Sequence, residues 1–297
     1  MEREDVRFVS GRETCAGWLF RPSSVTQQQV PCVVLSNGFS CVRDQGLDRF
    51  GERFARAGFG ALAFDYRHFG DSGGEPRSLA RSAAQREDLR AALAYVRGVD
   101  WVDPSRITAW GYSLGGGHVQ SLAASEGGIA AAVCVAPMVN DTRSALHIGG
   151  PRHAVRLTVA ALRDGIRGLR GAEPYRIPVV GAPGTISAVN CAEAVSGMAA
   201  ITPPNSTWRN ECCPRGMLGR SYGLERKARR ISCPTLYCIA EDDEVNPPEL
   251  GKRVAGRVPD SELRLYPGGH FDFSQGKTFE RVVSDQVDFL TRRLLGG

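Results

Sequence analysis

Hydrophobic positions along the chain fall into two rhythms that take turns. "VRFVSG" and "CAGWLFRP" near the N-terminus read as an opening hairpin. "PCVVLSNG" at 31–38 is a continuous, β-branched apolar run closed by Asn-Gly, the pattern of a strand buried on both faces. The next segment, 44–58, places Leu47, Phe50 and Phe54 at helical spacing and stops at Gly58. The exchange then recurs: strand "GALAFDYR", helix "SLARSAAQREDLRAALAYVRG", strand "ITAWGYS", helix "LGGGHVQSLAASEGG", strand "AAAVCVAP". Such alternation predicts a parallel sheet flanked by helices.

The rhythm breaks between 138 and 230. That stretch carries Pro174, Pro178, Pro183, Pro203 and Pro204 beside helical runs such as "HAVRLTVAALRDGIRGL". A structureless insertion of this length does not fit a compact domain, so a partly helical cap over the sheet is expected. Strand and helix resume with "CPTLYCIAEDDEV", "PPELGKRVAG", "ELRLYPGGH" and a last amphipathic helix, "KTFERVVSDQVDFLTRRLL". The expected division is a core from 1–137 and 231–297, with a cap from 138–230.

Composition narrows the classes of function. The 297 residues suffice for a large core, and 42% hydrophobic with 23% charged residues is ordinary for a globular chain. The net charge of +5 is mild and dispersed, and the basic run "ERKARR" has no interleaved aromatics, so no nucleic-acid partner is expected. The charged start "MEREDVRFVSG" does not resemble a signal peptide, and no apolar stretch approaches the ~18 residues of a membrane span. The expectation is a cytoplasmic protein without a membrane partner. Nine irregularly spaced cysteines suit small buried thiols better than a disulfide framework or a zinc site.

The chemistry concentrates in "AWGYSLGGGH". Gly111-Tyr112-Ser113-Leu114-Gly115 fits G-x-S-x-G between a predicted strand and a predicted helix, the context that gives the motif its meaning. A tight turn there needs small residues on either side and lifts the Ser113 hydroxyl above the sheet's C-terminal edge. A serine needs a base to take its proton. His270, after Gly268-Gly269 at the end of a late strand, is the leading candidate; His118 is expected to pack behind the turn. The orienting acid lies in "IAEDDEVNP", with Asp243 preferred and Asp242 the alternative. An oxyanion hole requires backbone donors, expected from Leu114 N–H and from Phe39 N–H in "SNGFSC", where Gly38 permits close approach. Cys41 is placed at the entrance, and Tyr112 and Trp208 are further candidates for substrate contact, as are Arg152, Arg209 and Asn210.

"SNGF", "DYRHFGDSGG", "GYSLGG", "EDDEVNP" and "GGHF" together resemble the α/β-hydrolase superfamily across nearly the whole chain. Within it, "WGYSLGGGHV" and "STWRNECCPRGML" are similar to the dienelactone-hydrolase and Xaa-Pro-peptidase-like branch, including bacterial members and fungal polyketide transferases. One departure is Asn37, where many members carry the His of an His-Gly motif. The resemblance implies an α/β fold with a mostly parallel eight-stranded sheet and a largely helical cap inserted after the sixth strand. It also implies catalysis by Ser113, Asp243 and His270 with no metal or organic cofactor. The expected substrate is a small or medium ester, lactone or thioester. The alternatives are acyl transfer or thioesterase action on a polyketide-like substrate, and a non-catalytic ligand-binding protein of the same fold. Trp208 and its apolar neighbours could equally serve a partner subunit, so a homodimer is one arrangement the sequence allows.

Overall fold

The computed structural model describes residues 1–23, 29–219 and 223–296. Strands β1 (Glu2–Ser10) and β2 (Glu13–Arg21) form the opening hairpin, turning at Gly11 with φ 60°. There follow β3 (Val30–Ser36), α1 (Leu47–Arg56), β4 (Gly60–Phe64), α2 (Ser82–Arg97), β5 (Val102–Tyr112), α3 (Leu114–Ala123) and β6 (Ala131–Val135). Next come α4 (Asp141–Leu169), α5 (Ala194–Ile201), α6 (Leu224–Lys227), β7 (Thr235–Ala240), α7 (Pro248–Ala255), β8 (Ser261–Tyr266) and α8 (Gly276–Leu294). The eight strands lie in the order β1-β2-β4-β3-β5-β6-β7-β8. Only β2 runs antiparallel to its neighbours; from β4 across to β8 every pair is parallel.

Strand periodicity decides which side chains face which helices. In β3, Val33 and Leu35 join Phe50 and Phe54 of α1 and Phe279 and Phe289 of α8 on one face of the sheet. Cys32 and Val34 point the other way, towards Leu89 and Leu93 of α2, Val119 of α3 and Val254 of α7. Each such large apolar side chain contributes about 1.5–3 kcal/mol when fully buried. Trp110 sits at the centre of the first cluster, and its indole N–H donates to Gln286 Oε1 at 2.9 Å, so the buried donor is satisfied.

Between β6 and β7 the chain leaves the sheet and packs over the loops at the strands' C-terminal ends. Leu157, Val179, Ala194 and Met198 from this segment share an apolar cluster with Cys41, Val245 and Phe271 from those loops. The helical pattern at 153–169 extends further back in the structure, to Asp141. Asn140 caps the start, its side chain accepting from Arg143 N–H at 3.0 Å, and Gly150 at φ 71° bends the helix just before Pro151. The kink at Gly150 divides this helix into two stretches. Among the described residues no helix is long and apolar enough to cross a membrane. All nine cysteines are free and buried.

Candidate active site

Ser113 stands at the junction of β5 and α3 with φ 53° and ψ −116°, a conformation that a non-glycine residue holds only when its surroundings enforce it. Enforcement comes from both sides. Its N–H donates to Val135 C=O at 2.8 Å, and its C=O accepts from Gly117 N–H at 3.2 Å and Met138 N–H at 2.9 Å. A Cβ at Gly111 would collide with the Gly115 carbonyl group, and one at Gly115 with the Ser36 carbonyl oxygen. The glycines thus let strand and helix meet at an angle that leaves the hydroxyl at the helix N-terminus, where the helix dipole favours negative charge.

Asp243 follows β7 and His270 follows β8, at the same edge of the sheet. The structure brings Asp243, not Asp242, to the imidazole: Asp243 Oδ2 lies 2.8 Å from His270 Nδ1. The other oxygen, Oδ1, accepts from the N–H groups of Val245 at 2.8 Å and Asn246 at 2.7 Å. Asp242 is exposed, its carboxylate accepts from Gly268 N–H at 3.3 Å, and its own N–H donates to Gly268 C=O at 3.0 Å. Burial pulls the His270 imidazole down, but the charge and hydrogen bond of Asp243, followed by the charge of Glu193, leave it above its ordinary value. Tyr112, offered by the sequence as a substrate contact, instead donates its hydroxyl to the His270 carbonyl and sets its ring edge-on to the imidazole at 5.4 Å.

Opposite lies the loop after β3. Asn37 organises it: Oδ1 accepts from Gly38 N–H at 2.8 Å, and Nδ2 donates to Val42 C=O at 2.8 Å and Gln45 C=O at 3.3 Å. Gly38 comes so close that a Cβ there would stand 3.3 Å from Ser113 Cβ. Neither Phe39 N–H nor Leu114 N–H donates to any group among the described residues. Trp208 reaches this loop from the segment between β6 and β7, its indole N–H donating to Ser40 C=O at 3.0 Å. With Arg209 it also borders a cleft of about 400 Å³ beside Ser40 and Val42. Cys41 is buried, and its thiol is pushed up to about 12 by burial and by Asp44, which makes it inert at neutral pH. Asn210 is occupied within the segment by both backbone groups of Val180, and Arg152 is exposed on α4.

His118 packs behind the turn as the sequence suggests. It is buried against Gln85 Oε1 at 3.1 Å and pushed down to about 3 by burial. Two residues at the site have no counterpart in the sequence reading. Asn246 Nδ2 donates to Ser113 Oγ at 3.4 Å and to Ala136 C=O at 3.0 Å, while its Oδ1 accepts from Ser144 Oγ at 2.9 Å. Its place within "DDEVNP" was the available signal. Glu193, 77 residues before His270, accepts that residue's N–H at 3.2 Å and gave no local signal. Among the described residues, Cys191, Glu193 and Glu244 have ligand-type atoms within 4.8 Å of one another. Burial and nearby carboxylates push the Cys191 thiol up to about 12, and Glu193 and Glu244 already accept each other's backbone N–H, so we assign no metal to them.

A mostly parallel eight-stranded sheet with a strained serine at the end of β5, and an acid and a histidine at the ends of β7 and β8, defines the α/β-hydrolase architecture. Residues 33–282 match the model of the Alpha/beta hydrolase family, and the chain belongs to that family. It is 38% identical over 289 residues to the quorum-quenching protein AidA of Acinetobacter baumannii, covering 97% of this chain and 94% of the relative. It is 27% identical over 310 residues to the polyketide transferase grgF of a Penicillium species, covering 99% and 98%. The crystal structure of GrgF from Penicillium sp. sh18 superposes with a TM-score of 0.84, covering 99% of this chain and all of that one.

Proposed function

We propose that the chain is a serine hydrolase that cleaves a small or medium carboxylic ester, lactone or thioester through an acyl-enzyme on Ser113. One observation carries the reading: the Asp243–His270 pair, bonded at 2.8 Å, shares a sheet edge with the Ser113 turn and two unspent N–H groups. The steps follow from those positions. Ser113 Oγ turns from Asn246 to His270 Nε2, gives up its proton and attacks the carbonyl carbon. Leu114 and Phe39 N–H groups hold the oxyanion; one such donor is worth about 10²–10³ in rate. Asp243 fixes the tautomer and steadies the imidazolium, which then protonates the leaving group. Water activated by His270 releases the acid. No step requires a metal or organic cofactor.

The segment 138–230 acts in this reading as a cap. Ser113 is 8% and His270 3% exposed, so substrate entry requires the cap to shift. That closure, together with the likeness to a polyketide transferase, favours a second reading in which an alcohol or thiol acceptor replaces water in deacylation.

Hydrolysis of a p-nitrophenyl ester series of increasing chain length, wild type beside Ser113→Ala, tests the first reading. Turnover that peaks at one length and falls at least about 10³-fold in the variant is expected. Undiminished turnover by Ser113→Ala would overturn it. An acyl burst followed by a stall would move the assignment to acyl transfer.

A further inference from the structure

Glu193 precedes α5 within the segment 138–230, and its carboxylate bonds to loops of the sheet. Oε1 accepts from the backbone N–H of His270 at 3.2 Å and of Glu244 at 3.0 Å. The Glu193 N–H in turn donates to Glu244 Oε2 at 3.2 Å. Oε2 lies directly over Gly269, where any Cβ would collide with it. The bare backbone at Gly269 lets a carboxylate from another part of the chain lie close against the histidine loop. One turn along α5, Gly197 leaves equivalent space for the ring of Phe271, the residue after the histidine. The contact between α5 and the histidine loop is thus built at two points.

We propose that Glu193 is a positioning residue for the reaction, clamping the acid loop and the histidine loop together from the cap. The proposal rests on the acyl-enzyme reading above. Asp243 and His270 sit on separate loops, and their 2.8 Å bond requires those loops to keep register. Glu193 ties the residue after Asp243 to His270 itself. Because the tie comes from the cap, the pair is held in register when the cap is closed and is less constrained when it shifts to admit substrate. The carboxylate also faces the imidazole electrostatically and adds to Asp243 in favouring its protonated form. The other ionisable groups around this cluster are Glu244 on the acid loop, His147 on α4 (Nε2 2.9 Å from Asp243 C=O), Tyr112 on β5, Cys191 in the cap and Asp272 beyond the histidine. Burial keeps Tyr112 and Cys191 uncharged.

Two variants separate position from charge. Glu193→Gln keeps a carbonyl acceptor and removes the charge; Glu193→Ala removes both. In Glu193→Gln the acid limb of kcat/KM is expected to move to lower pH by about half a unit, with a plateau reduced only a few fold. In Glu193→Ala the same shift is expected with kcat down about tenfold or more and KM changed much less, as for misplaced catalytic groups. Profiles that match wild type in both variants would overturn the proposal, as would a lower Tm with the acid limb unmoved. An NMR titration of the His270 imidazole in wild type and Glu193→Gln reads the charge effect without substrate. Failure of the acyl-enzyme reading shows instead as Ser113→Ala retaining activity, so the two failures are distinguishable.

Discussion

His270 can act as a base only while its Nε2 is unprotonated, and the residues around it set the pH at which that holds. Its imidazole is favoured in the charged form by Asp243 and then by Glu193, against burial, so its folded-state value lies above the ordinary ~6.5. The sign is therefore fixed: kcat/KM should rise with pH through a value above about 6.5 and fall away on the acid side. Asp243→Asn removes the charge and lets the other tautomer form, placing a proton on the nitrogen that must accept one. A fall in kcat/KM of about 10⁴ with an acid limb moved to lower pH is expected from steady-state profiles of the two proteins. An unmoved limb would show that Asp243 does not govern this histidine. The sequence offers Ser113, Asp243 and His270 as candidates because the chemistry admits few residue types and each sits beside a local marker, G-x-S-x-G, D-x-V-x-P and Gly-Gly-His, and the structure places all three at one edge of the sheet. Glu193 was not legible as a site residue, because its partners come from a distant part of the chain, and Asn246 was marked only by its place within "DDEVNP".

At the scale of elements, the loop after β3 is held from below as well as above. Above, Trp208, Ser206 and Thr202 of the segment 138–230 bond to Ser40 C=O, Asp44 and Gln45. Below, the buried Arg43 guanidinium pairs with Asp65, in the loop after β4, and with Asp71 at 2.5 Å, and stacks 4.5 Å from the centre of the Trp18 ring. Asp65 also accepts the backbone N–H groups of Arg43 at 2.7 Å and Asp71 at 3.1 Å. Arg43→Ala would leave the Asp65 carboxylate buried without its cation, a change worth about 3–5 kcal/mol of stability. Denaturant unfolding is expected to show that loss, and a change below about 1 kcal/mol would mean the pair is not a structural anchor. Strands and helices of the sheet layers were legible because their apolar periods are strong. The α2 boundary shifted: the pattern begins at 78, but Ser78 at φ 66° holds the chain out of helix until Ser82. The segment 138–230 is expected from sequence as a partly helical interruption of the rhythm, and its helical run at 153–169 falls within α4. Its packing combines an apolar cluster shared with the sheet loops and single bonds such as Trp208 to Ser40, and their partners leave no periodic trace in the sequence.

Across the whole molecule, the strand order places the ends of β3, β5, β7 and β8 along one edge, and the segment between β6 and β7 packs against the loops of that edge. A strained serine turn and a bonded acid–histidine pair, far apart in sequence, thereby share one edge, and residues between β6 and β7 contact the loops that carry them. Ser113 and His270 are buried at that edge, and activation of the serine is the central proposal. The most direct test is covalent labelling by a fluorophosphonate probe, read by intact mass and peptide mapping. One adduct per chain, on Ser113, is expected in wild type; it should be absent in Ser113→Ala and slowed at least about 10³-fold in His270→Ala. A chain that stays unlabelled, or labels as fast without His270, would contradict the account.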